Sequence, residues 1–224
     1  MLTRRLLIAL AAASLATAAQ GQTPATPPPA LAEAPAPRPV STNPLVTLTT
    51  AQGDITIELF IDKAPITARN FLKYVDRKLF DGATFYRASK PPGYAANDYG
   101  TVQGGLQNDP KKVLPPIAHE SNLKTGILHR DGVISMGRHA PGTAQADWFI
   151  CIGDMSYLDA DAKQPGFAAF GHVVSGMDVA QKILGLPTDP NRGEGAMKGE
   201  MLVRPVKIVS VRRAAALGPT PVVN

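Results

Sequence analysis

The residues that could do chemistry are few. The four histidines, His119, His129, His139 and His172, form no H-E-x-x-H or other close ligand pair, so no metal site is expected. Cys151 lies in the apolar run Phe149-Ile-Cys-Ile-Gly153, where a free thiol packs as a small hydrophobe and lacks an activating neighbour. There is no G-x-S-x-G elbow and no phosphate loop. The polar residues also include Arg87, in Asp81-Gly-Ala-Thr-Phe-Tyr-Arg87, and Gln103, in Val102-Gln-Gly-Gly105, which neither type nor spacing alone sets apart from the rest. An arginine offers a permanently charged planar fork of donors, a means of electrostatic stabilisation that needs no nucleophile, metal or cofactor. On residue type alone, Arg87 reads as a strand arginine in a surface ion pair, and Gln103 as a polar turn residue before Gly104-Gly105.

The elements that must position them are mostly strands. Leu45-Val-Thr-Leu-Thr and Asp54-Ile-Thr-Ile-Glu-Leu alternate apolar and polar residues around the turn Ala51-Gln52-Gly53, which predicts a β-hairpin with one buried face. Ala64 to Leu79 switches to helical spacing, with Pro65 in the first turn and Phe71, Leu72, Val75 and Leu79 on one stripe. Further strands are expected at 84–88, 132–137, 148–152, 167–174 and 206–212, the last opened by Pro205, with a second helix from Met177 to Leu184. The longest loop runs from Ser89 to Thr101. Many short strands with two helices predict a mainly β fold, a barrel or sandwich with helical caps.

Composition sets the organisation around that fold. Hydrophobic residues are 44% and charged residues 18% of the 224, enough for a packed core. Eight of the 21 prolines fall between Pro24 and Pro44. Residues 1–21 read as a signal peptide: Arg4 and Arg5, an apolar Leu6–Leu15 stretch, then Ala16-Thr17-Ala18. The pair of arginines also resembles a twin-arginine signal. Residues 22–43 read as a Pro/Ala-rich extended linker, 44–213 as the folded domain, and 214–224 as a disordered tail. This predicts a periplasmic protein, the alternative being an inner-membrane anchor formed by the uncleaved signal. No apolar run reaches the roughly 20 residues of a spanning helix. The net charge of +5 falls to +3 without Arg4 and Arg5, and no Lys/Arg run exceeds two, which argues against a nucleic-acid partner. One cysteine excludes a disulfide framework.

Taken in order, the segments resemble the cyclophilins, the peptidyl-prolyl cis-trans isomerases. The carriers are Ile57–Phe71, Asp81–Arg87 with Val102–Gly105, Gly132–Arg138, Asp147–Cys151 and Phe167–Asp178, spanning about residues 45–213. The resemblance implies an eight-stranded antiparallel β-barrel capped by two α-helices, with an active groove on its outer face. It implies a chain that accelerates X-Pro rotation in folding envelope proteins, with no cofactor and no metal, as a monomer binding proline-containing unfolded or flexible polypeptides. X-Pro rotation crosses a barrier near 18–20 kcal/mol because twisting breaks amide resonance.

Residue by residue, the resemblance makes Arg87 and Gln103 catalytic. Arg87 would donate to the prolyl nitrogen as it pyramidalises; Gln103 would hold a substrate carbonyl or Arg87 itself. Phe85, Met136, Gly137, Arg138, Asp147, Phe149, Tyr157, Leu158 and Phe167 would bind substrate, with Phe149 and Met136 lining the proline slot. Several positions depart from the family pattern. The 89–102 loop is long, and Tyr94 or Tyr99 would have to replace a phenylalanine of the slot. Asp147 replaces a glutamine and would either pair with Arg87 or compete with substrate for it. Gly137-Arg138 replaces a small residue and asparagine, with the Gly137 backbone left available. Tyr157 in place of tryptophan implies weak binding of cyclosporin. Asp147 and the long loop motivate a second reading, a peptide-binding module or holdase chaperone with little turnover. A barrel storing a small apolar ligand is a third.

Overall fold

The computed structural model describes residues 43–215. The signal peptide, the linker except Asn43, and residues 216–224 of the tail lie outside the described residues.

The first hairpin forms as its alternation requires. β1 (Leu45–Thr50) and β2 (Gly53–Leu59) pair antiparallel from Leu45↔Glu58 to Thr50↔Gly53, around Ala51-Gln52. Leu48, Ile55, Ile57 and Leu59 point inward and are fully buried. Seven further strands follow: β3 (Thr84–Ser89), β4 (Gly100–Gly105), β5 (Val133–Met136), β6 (Trp148–Ile152), β7 (Ala168–Ser175), β8 (Thr188–Asp189) and β9 (Met201–Ala214). Their order is β1-β2-β7-β5-β6-β4-β3-β9, and β1 pairs again with β9, so eight strands close into an antiparallel barrel. Closure leaves no open edge within the barrel. The two-residue β8 is an addition on β9.

Side chains fill the barrel. Trp148, Phe85, Phe170, Ile134 and Met136 are buried within it, and Phe85 meets Trp148 edge to face at 5.1 Å. That packing leaves no place for the apolar-ligand store.

The helices cap opposite ends. α1 (Pro65–Asp76) follows β2 and packs Phe71 on Phe80, Phe170 and Trp148. It stops short of Leu79 because Lys78 turns left-handed at φ 56°, and Leu79 N–H then bonds the Tyr74 carbonyl. Its N-cap, Ala64, has no side-chain acceptor; Glu120 supplies one from afar, accepting Ile66 N–H at 3.0 Å and Thr67 N–H at 2.6 Å. α2 (Asn122–Thr125) is a single turn capped by Ser121, which periodicity did not reveal. α3 (Met177–Leu184) lies at the other end, with Val179 against Gly53.

β9 departs most from expectation. It starts at Met201, so Pro205 is inside it and Ala214, expected in the tail, ends it. The pairing with β3 jumps from Phe85↔Val206 to Arg87↔Met201. Residues 202–205 form a bulge opposite Tyr86, and a proline inside a bulge loses no ladder bond.

Candidate active site

β5 and β6 are buried on both faces, which singles out this side of the barrel. Their inner residues join the core. Outward, Phe149, Cys151 and Met155 form a second apolar cluster, joined by Tyr99, Leu158 and Phe167. The segment from Asp154 to Phe167 folds over it and fixes it by polar bonds. His129 is fully buried and bonds Asp159 Oδ1 through Nδ1 at 2.7 Å and Ser135 Oγ through Nε2 at 2.9 Å. Burial pulls the His129 pKa down, and the Asp159 carboxylate opposes that shift. Its ring stacks behind Phe149 at 6.2 Å, while Phe167 meets Phe149 edge to face at 5.4 Å. His129 is therefore a packing and hydrogen-bonding residue.

Phe149, 7% exposed, floors a groove of about 730 Å³. Arg87, Gln103, Gly137, Arg138, Asp147, Tyr157, Leu158 and Phe167 line it together with Phe149, so most of the expected site residues come together. Phe85 and Met136 do not. Both point into the barrel, at 0% and 1% exposure, because alternation along β3 and β5 sends them inward. Tyr94 and Tyr99 do not line the groove either. Tyr94 bonds Asp98 and meets Tyr99 edge to face, and Tyr99 packs behind the Phe149 cluster. Tyr99 borders a second hollow of about 220 Å³, with Lys90, Pro91 and Tyr157.

Arg87 is held from three directions. Nη1 donates to Gln103 Oε1 at 2.8 Å. Nε donates to Glu200 Oε2 at 2.7 Å, and Nη2 lies 2.6 Å from the same oxygen. Nη2 also donates to the Ala196 carbonyl at 3.3 Å. Glu200 Oε1 accepts from Ser89 Oγ at 2.7 Å. The planar fork is thus fixed at the groove wall, with Arg87 and Glu200 about one fifth exposed, at 20% and 23%. Arg87 and Gln103 face each other because β3 and β4 pair them directly.

Asp147 does not pair with Arg87. Its partners are Tyr86 Oη, at 3.2 Å from Oδ1, and the Gln107 and Asn108 N–H groups at 2.8 and 3.3 Å. Burial raises its pKa, and the backbone N–H groups hold it partly back. Burial likewise raises the Tyr86 pKa, with the Asp147 charge adding to the effect. Gly105 explains the double glycine after Gln103. It has φ +137°, and a Cβ there would come within 2.5 Å of Asp147 Oδ1. The Gly137 N–H donates to the Asp147 main-chain carbonyl at 2.8 Å, which leaves the Gly137 carbonyl as the backbone group open to a peptide. Arg138 stacks over Phe167 at 4.7 Å and donates to the Gly166 carbonyl.

The sequence does not point to Tyr86, to Glu200, to the Gln107–Asn108 turn or to the Glu194–Met201 wall, which contributes Ala196, Met197 and Met201. Tyr86 carried a signal only in its position beside Arg87. Glu200 lies 113 residues from Arg87 and carried none. Among the described residues no cluster of His, Cys, Asp or Glu could hold a metal ion. Cys151 is buried, which pushes its thiol pKa up.

Residues 45–213 match the family model described as cyclophilin type peptidyl-prolyl cis-trans isomerase/CLD. A peptidyl-prolyl cis-trans isomerase of Acinetobacter baylyi is 32% identical over 171 residues, 76% of this chain and 85% of that one. Peptidyl-prolyl cis-trans isomerase B of Escherichia coli is 35% identical over 148 residues, 64% of this chain and 86% of that one. A cyclophilin type isomerase of Cryptosporidium parvum has the same fold, with a TM-score of 0.62 at 19% identity, over 77% of this chain and 98% of that one. The same protein crystallised in the presence of the dipeptide Ala-Pro matches with a TM-score of 0.61, over 76% of this chain and 99% of that one, again at 19% identity.

Proposed function

The chain belongs to the cyclophilin-type peptidyl-prolyl cis-trans isomerases, and on that premise we propose that Arg87 drives X-Pro rotation electrostatically in this groove. The proline ring lies on Phe149, beside Leu158 and Phe167, in the apolar part of the groove. The rotating amide then faces Arg87. In the ground state the prolyl nitrogen shares its lone pair with the carbonyl and accepts hydrogen bonds poorly. As the bond twists, resonance is lost and the nitrogen becomes a pyramidal acceptor. A donor fixed beside it binds the twisted state better than either planar isomer, which is what lowers the barrier. No proton is transferred and no covalent bond changes, so a permanently charged arginine suits the task.

The observation that carries this reading is the anchoring of Arg87 by Glu200 and Gln103 beside an apolar floor. A preorganised donor avoids the cost of reorienting during the reaction. The test is the relaxation of a cis-enriched Ala-Pro peptide in the presence of the full chain. Removing one fixed donor costs about 10²–10³ in turnover, so Arg87→Ala should lose that much kcat/KM while the chain remains folded. A folded Arg87→Ala with wild-type kcat/KM would overturn the assignment.

A second reading has an observation of its own. The contacts of Arg87 with Glu200, Gln103 and Ala196 engage all three guanidinium nitrogens. A module that binds proline peptides with little turnover fits that state, and peptide binding without faster exchange would favour it. We place either activity in the periplasm, on unfolded envelope proteins, from the signal-like residues 1–21. A mass spectrum of the cell-envelope protein that began at Met1 would refute cleavage.

A further inference from the structure

We propose that Tyr86 and Asp147 are positioning residues that set the orientation of the Gln103 amide, and through it Arg87; the inference rests on the Arg87 reading above. Four side chains form one line. Asp147 Oδ1 lies 3.2 Å from Tyr86 Oη, Tyr86 Oη lies 2.7 Å from Gln103 Nε2, and Gln103 Oε1 lies 2.8 Å from Arg87 Nη1. An ionised carboxylate only accepts, so the Tyr86 hydroxyl must donate its one proton to Asp147. Its lone pairs then accept from Gln103 Nε2. That turns Oε1 toward Arg87, the one amide orientation in which every member has a complementary partner. Inverted, the amide would set its NH₂ against the arginine donors and its oxygen against the Tyr86 lone pairs.

The line is enclosed where direction matters. Tyr86 and Asp147 are 5% and 8% exposed, so little water can substitute for a missing partner. Gln107 and Asn108, both with positive φ, wrap the carboxylate with their N–H groups and hold it in place. This gives Asp147 a role in the position where the family pattern has a substrate-binding glutamine. It acts on Arg87 through two other residues, Tyr86 and Gln103.

The test follows the Gln103 side-chain NH₂ signals by NMR in the full chain, alongside kcat and KM for an Ala-Pro peptide. Tyr86→Phe removes the relay hydroxyl. Asp147→Ala leaves Tyr86 free to donate to Gln103 Oε1 and so to invert the amide. Both should move the Gln103 signals and lower kcat about tenfold, with KM within twofold. Asp147→Asn keeps an acceptor oxygen and should recover most of the loss. Unmoved Gln103 signals in both Tyr86→Phe and Asp147→Ala would overturn the inference. So would wild-type kcat in both while Arg87→Ala is inactive. If Arg87→Ala stays active, the functional reading fails, and the Gln103 signals alone decide the relay. Should Tyr86→Phe not fold, the contrast between Asp147→Ala and Asp147→Asn decides it.

Discussion

Replacing Glu200 by alanine tests whether Arg87 works because it is held still. Glu200 Oε2 takes Arg87 Nε at 2.7 Å and lies 2.6 Å from Nη2, while Oε1 is fixed by Ser89. A hydrogen bond to a charged group contributes roughly 1.5–3 kcal/mol when buried, and an exposed ion pair about 0–1 kcal/mol. With the two side chains 20% and 23% exposed, the pair falls between those limits, at about 1–1.4 kcal/mol. That energy separates the anchored guanidinium orientation from the others it would sample. At 1.4 kcal/mol per factor of ten, its loss lowers the anchored population about five- to tenfold. Gln103 and the Ala196 carbonyl remain, so the arginine is loosened and not lost. Glu200→Ala should therefore lower kcat/KM about five- to tenfold, mainly in kcat. Glu200→Gln keeps an acceptor of the same size and should cost about two- to threefold. The assay is peptide isomerisation over a range of substrate concentrations, with melting temperatures as the folding control. A Glu200→Ala protein as fast as wild type, or faster, would refute the reasoning. The carboxylate would then be opposing the charge of Arg87 and not positioning it.

Three further outcomes are expected. Glu120→Ala removes a buried two-oxygen cap from α1, which costs about 2–3 kcal/mol from the cap and the helix dipole together. Calorimetry should show a melting temperature about 5–10 °C lower, and a drop under about 2 °C would mean packing alone sets the helix start. Burial lowers the His129 pKa, so the unfolded chain binds the proton more readily. Stability should fall as pH drops below about 6.5, the unfolded value, with a slope of up to about 1.4 kcal/mol per pH unit. Urea midpoints at a series of pH values should flatten in this range for His129→Gln, and an equal slope would place the titration elsewhere. Phe149→Leu should raise KM about fivefold with kcat within twofold, since the slot floor holds planar and twisted amides alike. A loss confined to kcat would give Phe149 a part in the transition state.

The barrel was legible where period-two alternation has a single buried face, as in Leu45–Leu59, and α1 was legible from the Phe71-Leu72-Val75 stripe. β4 is not legible as a strand, because Gly100, Gly104 and Gly105 read as loop. Those glycines are required by close approach, with the backbone of Ser89 at Gly100 and Asp147 at Gly105. Arg87, Gln103 and Phe149 were placed by motif order. Phe85 and Met136 were placed in the groove by the same reasoning, although each faces inward on a strand whose outward neighbours form the wall. The partners of Arg87 and Asp147 could not be read. Glu200 and the Gln107–Asn108 turn reach the site through closure of the barrel and loop geometry, which no local pattern encodes.

The central claim is that Arg87 favours the twisted amide over the planar one. Two-dimensional exchange NMR on one Ala-Pro peptide tests it most directly, because binding and rotation are read in the same sample. With Arg87→Ala, the account predicts peptide affinity within about threefold of wild type and catalysed cis-trans cross-peaks lost. Affinity lost in proportion to exchange would contradict it, since Arg87 would then hold the peptide in both states equally. So would cross-peaks of wild-type intensity.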